Sequence, residues 1–108
     1  MKILFDTSVI VPALIISHLK HNQSFPWLKR AISKEFDLIV ASHTIAELYA
    51  VLTSIPVTPR ITPSLALRLI YENIETKAEI INLTSPDYID TIRFIGSLGL
   101  TGGIYMMP

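Results

Sequence analysis

Three strand-length apolar runs, each separated from the next by helix-length segments, constrain this chain more than any other feature. The runs are "KILF" (residues 2–5), "DLIVAS" (37–42) and "AEIINL" (78–83). Apolar runs of this length, bounded by polar residues, read as strands. Strands separated by helices do not pair as hairpins; they line up in parallel, with helices covering the faces of the sheet.

The intervening segments support that pattern. "TSVIVPALIISH" has the length of a helix, with Pro12 near its first turn or at a kink. His18 to Ser24 reads as a polar loop. Ser24 then caps a second helix with Pro26 in its first turn, and Phe25, Leu28 and Ile32 are predicted to face inward. "HTIAELYAVLTSI" is a third helix with Ile45, Leu48, Leu52 and Ile55 as its core stripe. Thr62 and Pro63 open a fourth helix running to about Thr76, and Ser85 and Pro86 open a fifth on which Tyr88, Ile92 and Ile95 share a face. The order β-α-α-β-α-α-β-α describes one α/β domain over residues 1–108, with only three strands. Leu98 to Leu100 read as a helix finishing on glycine, Thr101 to Gly103 as a turn, and Ile104 and Tyr105 as the start of a further element, a helix.

Composition excludes several classes of function. There is no cysteine, which rules out disulfides, thiolate metal sites and cysteine catalysis and agrees with a reducing cytoplasm. The net charge is zero, so no global basic field draws in nucleic acid, although a local patch is compatible with that total. Asp6 and Pro12 interrupt the apolar start, which therefore does not read as a signal peptide. No uncharged stretch reaches the roughly 18 residues needed to span a bilayer, so a soluble protein is expected. There is no G-x-G-x-x-G and no phosphate-binding loop.

Two acids stand out. Asp6 ends the first strand, and in parallel sheets sites lie beyond the carboxyl ends of the strands. Asp6, Thr7 or Ser8 equally suits the cap of the next helix, and taken alone the position favours the cap. Glu47 lies early in the helix after the second strand, at the edge of the Ile45–Leu48–Leu52 stripe. Its alternative is a capping box, because Thr44 and Glu47 have the required spacing. His43 and Glu47 stand one helical turn apart, a spacing that can ligate a metal, but no second histidine is in register, and His43 reads as a polar residue of the helix start. His18 and His21 read as solvated loop residues. Asp87 and Asp90 suit the positive end of the fifth helix.

With these features in place the sequence resembles a PIN domain of the kind found in VapC-type toxins of toxin–antitoxin pairs. The resemblance rests on "ILFDTSVIVPAL", "DLIVASHTIAELYAVLT", "LALRLIYENI" and "GLTGGIY" in order. It implies a Rossmann-like three-layer fold and a cluster of carboxylates that holds Mg2+ or Mn2+ and cleaves RNA. It also implies a cognate antitoxin partner and a cytoplasmic location. Asp6 matches the family's first acid, Glu47 its second, and Ser8 the small hydroxyl neighbour that hydrogen-bonds a ligand or water. Arg60 is a candidate for RNA phosphate contact, with a solvated loop residue as its alternative.

The family's third acid follows the tyrosine of the closing motif, and here that place is Met106, a thioether and a poor ligand for a hard cation. On that pattern the chain is C-terminally truncated, lacking a helix and strands. The first strand is then expected to keep a bare apolar edge, open to aggregation or to a second copy of the chain. Weak or absent RNA cleavage is expected, and a catalytically dead remnant that binds protein is the alternative function. On assumed codons, duplication of one AT pair in an Ile-Tyr-Asp-Ala stretch yields Ile-Tyr-Met-Met-Pro-stop, so the ending itself reads as a frameshift.

Overall fold

The computed structural model describes residues 1–97 and 103–106. The readings made for Leu98–Gly102, Met107 and Pro108 lie outside those residues. In chain order the elements are β1 (Lys2–Phe5), α1 (Thr7–Leu14), α2 (His21–Ile32), β2 (Asp37–Ala41), α3 (Ser42–Ser54), α4 (Pro63–Ile70), β3 (Glu79–Ile81), α5 (Ser85–Ser97) and β4 (Ile104–Met106). A wide π-helical turn, Tyr71–Glu75, extends α4 close to the predicted end at Thr76.

The sheet order is β3-β2-β1-β4. β1 pairs with β2, and β2 with β3, in parallel, as the alternation of strands and helices predicts. After its first residue every side chain of β1 and of β2 is buried. Successive strand residues point to opposite faces, so a strand buried at every position is covered on both sides. That makes the domain three-layered. Phe5, Ile39 and Val40 from the strands and Ile10, Leu28, Leu48, Leu52 and Ile70 from the helices are the bulky residues of this core.

The expectation of a bare edge on β1 is corrected. Ile104–Met106 forms a strand rather than a helix and pairs antiparallel with β1, Phe5 opposite Ile104 and Ile3 opposite Met106. The Asp6 N–H donates to the Gly103 carbonyl at 3.0 Å and continues this pairing by one bond. An unpaired strand edge presents a row of backbone donors and acceptors, and the three residues "IYM" satisfy them.

Two helix readings also change. α1 ends at Leu14, two residues after Pro12, instead of running to residue 18. α2 begins at His21, three residues before the predicted cap. Along this helix Ser24, Leu28 and Ala31 are buried and Phe25 is turned outward, stacked on His21 with ring centres 5.0 Å apart. His21 is therefore not a solvated loop residue. It is half-buried, and its Nδ1 lies 2.8 Å from the Pro12 carbonyl, one of the acceptors left over at the end of α1.

The helix starts at Thr62 and Ser85 stand as predicted. Thr62 Oγ1 accepts from the Leu65 N–H at 3.2 Å, with Pro63 in the first turn of α4. Ahead of α5, Thr84 and Asp87 form a reciprocal capping box: the Thr84 N–H donates to Asp87 Oδ2 at 3.0 Å, and the Asp87 N–H to Thr84 Oγ1 at 3.3 Å. The backbone bond from Thr84, and then its side-chain bond, hold the Asp87 carboxyl below its ordinary pKa. A lowered carboxylate pKa stabilises the folded chain above the unfolded value, and that contribution fades as pH falls through the folded one. In an NMR titration the Asp87 carboxyl should therefore protonate at lower pH than a free aspartate. Thr84→Ala should move it back toward the free value.

Candidate active site

Parallel pairing brings two strand ends to the same edge of the sheet. β1 and β2 run in register, Lys2 opposite Asp37 and Leu4 opposite Ile39, so continuing the count sets Asp6 level with Ala41. The chain leaves each strand directly into a helix: Asp6 precedes α1, and α3 starts at Ser42. Glu47 stands in the second turn of α3. A cleft of about 340 Å³ opens at these strand ends, lined by Asp6, Ser8, His43, Glu47, Tyr88 and Ile92 among others. The three residues matched to the family's site, Asp6, Ser8 and Glu47, thus share one cavity.

Asp6 is both a cap and a wall of that cleft. Its backbone is extended (φ −102°, ψ −177°), and Oδ1 accepts from the Ser8 N–H at 2.9 Å and from Ser8 Oγ at 2.6 Å. Two donors on one carboxylate oxygen fix the rotamer. The capping role favoured for this position from sequence alone is present, and it aims the carboxylate into the cleft instead of competing with that placement. Gly103 supplies the space. A Cβ placed there would overlap Asp6 Oδ1 and Ser8 Oγ and come within 2.9 Å of Asp6 Cγ.

The capping box predicted for Thr44 and Glu47 is not formed. α3 begins three residues earlier than that box requires, Thr44 is buried, and the residue before the helix, Ala41, supplies no side-chain cap. Glu47 instead pairs with His43, Oε1 to Nε2 at 3.4 Å. Tyr88 Oη reaches the same imidazole, 2.8 Å from Nδ1 and 2.9 Å from Nε2. One hydroxyl cannot serve both nitrogens. Nε2 faces a carboxylate, an acceptor, and so carries the proton; the phenol then donates to Nδ1. His43 is therefore more than a polar residue at a helix start, since it links α5 to Glu47. Sequence reading gave Tyr88 only a place on an apolar face, and nothing local to it signals this contact.

Arg60 lies elsewhere. Its Nη2 donates to the Thr53 carbonyl at 3.3 Å, covering an acceptor at the end of α3. The cleft's donors for a cation are carboxylate and hydroxyl oxygens, the chemistry that hard divalent ions take. Among the described residues no three His, Asp or Glu side chains gather closely enough to hold a metal. Two carboxylates still fit magnesium, which keeps several waters and is commonly held by one or two carboxylates together with substrate phosphates.

Comparison with known proteins gives the same frame. A family model described as PIN domain matches residues 3–102. Ribonuclease VapC27 of Mycobacterium tuberculosis (strain ATCC 25618 / H37Rv) is 31% identical over 98 residues, an alignment covering 91% of this chain and 66% of that protein. The chain therefore spans just under two thirds of that relative's length. No helix among the described residues is long and apolar enough to cross a membrane. From the match over nearly its whole length, together with the parallel sheet and the acids at its strand ends, the chain belongs to the PIN domain family.

Proposed function

We propose that this chain is a VapC-type, metal-dependent endoribonuclease domain in which Asp6 and Glu47 hold a divalent cation, Mg2+ or Mn2+. The observation that carries the reading is the meeting of Asp6, Ser8 and Glu47 in one cleft at the strand ends. Held by Asp6 and Glu47, such a cation would supply charge neutralisation of an RNA phosphodiester and acidify a water for attack. Asp6 presents a carboxylate held in one rotamer by Ser8. The His43 imidazole, anchored by Tyr88, keeps Glu47 on the cleft side of α3. With two acids rather than three among the described residues of the cleft, cation affinity is low and turnover slow. The similarity to Ribonuclease VapC27 favours RNA as substrate, an antitoxin as protein partner and a cytoplasmic setting.

The test is cleavage of a single-stranded RNA by the purified chain. Slow cleavage in millimolar Mg2+ or Mn2+ is expected, falling to background with a chelator and in Glu47→Gln. Cleavage that survives either change overturns the reading. The shortage of acids among the described residues favours one second reading, a protein-binding domain without catalysis. A folded wild-type chain that binds an antitoxin and cleaves nothing under these conditions supports that one instead.

A further inference from the structure

Beyond the cleft, Ser8 has a second neighbourhood. A separate hollow of about 310 Å³ is lined by Thr7, Ser8, His18, Lys20 and Val51 among others. Ser8 is thus a wall common to the acidic cleft and to this hollow. Lys20 also lines a third cavity that again includes Ser8. Its side chain is exposed and makes no ion pair among the described residues, and it gives no side-chain cap to α2 although it stands at that helix's start. His18 is half-buried, and its Nδ1 accepts the Lys20 N–H at 3.0 Å. The neutral ring therefore carries its proton on Nε2 and has a donor left to offer.

We propose that this hollow binds a phosphodiester of single-stranded RNA, adjacent to the one held at Asp6 and Glu47, with Lys20 as its charged contact and His18 as a hydrogen-bond donor. The inference rests on the ribonuclease reading. Two carboxylates repel a polyanion, and among the described residues lining the acidic cleft there is no lysine or arginine. Phosphate contacts supply most of the affinity in nucleic-acid binding, so a basic group next to the acids is what substrate retention requires. Lys20 meets that need from a hollow that shares Thr7 and Ser8 with the cleft. An RNA strand leaving the cleft over Ser8 enters the hollow directly.

The experiment measures binding of a fluorescent single-stranded oligoribonucleotide in EDTA, across a series of salt concentrations. Lys20→Ala is expected to weaken binding roughly five- to tenfold at low salt and to reduce the slope of log affinity against log salt by about 0.7, the value for one phosphate contact on a single strand. Lys20→Arg should restore both, and Lys29→Ala, at an exposed position of α2, should change neither. Wild-type binding with an unchanged slope in Lys20→Ala overturns the subsite and leaves the ribonuclease reading standing. A wild-type chain that neither binds nor cleaves RNA overturns both.

Discussion

Gly103→Ala is expected to unfold at a markedly lower temperature than the wild-type chain and to lose cation binding with it. A β-carbon at this position overlaps Asp6 Oδ1 and Ser8 Oγ. Either the carboxylate swings away, breaking both bonds from Ser8, or β4 retreats and gives up the bond from the Asp6 N–H to the Gly103 carbonyl. Loss of a helix cap costs about 0.5–2 kcal/mol, and an unmade backbone bond adds about 1 kcal/mol. In a domain of this size each kcal/mol lowers the melting temperature by roughly 4–8 °C. A thermal melt reads the effect, and a melting temperature within about 1 °C of wild type would show that β4 does not press on Asp6 as described.

Asp6→Asn separates the two roles of that side chain. Asparagine caps helices about as well as aspartate, and its carbonyl oxygen can still accept from Ser8. The α1 start, and with it the melting temperature, should therefore be retained. The charge is gone, and an amide is a much weaker ligand for a hard cation. RNA cleavage should fall to background and cation affinity by at least about tenfold. Asp6→Ala removes the cap as well, and should also destabilise by about 0.5–2 kcal/mol. If Asp6→Asn keeps the wild-type melting temperature and still cleaves RNA, the position is a cap and nothing more.

Much of the fold was legible because its signals are local. β1 and β2 are short apolar runs, α4 opens on Thr62 and Pro63, and the stripe of Leu48 and Leu52 is buried as its spacing requires. The failures have physical causes of the same kind. α2 begins at His21 with no side-chain cap to announce it, so the polar stretch before Ser24 reads as loop. α3 starts directly from β2, leaving no room for Thr44 to act as a cap. β4 is three residues long, too short for a period of two to appear, and it exists because β1 offers it an edge. The same holds for the site. Asp6, Ser8 and Glu47 can be picked out by position and by family resemblance, whereas the Tyr88–His43 contact spans 45 residues and the Gly103 contact with Asp6 depends on sheet pairing.

The central claim is that Asp6 and Glu47 share one cation. Manganese titration of the purified chain, read by the loss of the free-ion paramagnetic resonance signal, tests it most directly and requires no turnover. The account predicts one weak site in the wild-type chain, lost in both Asp6→Asn and Glu47→Gln while their thermal melts stay close to wild type. Manganese binding unchanged in both folded variants would contradict it.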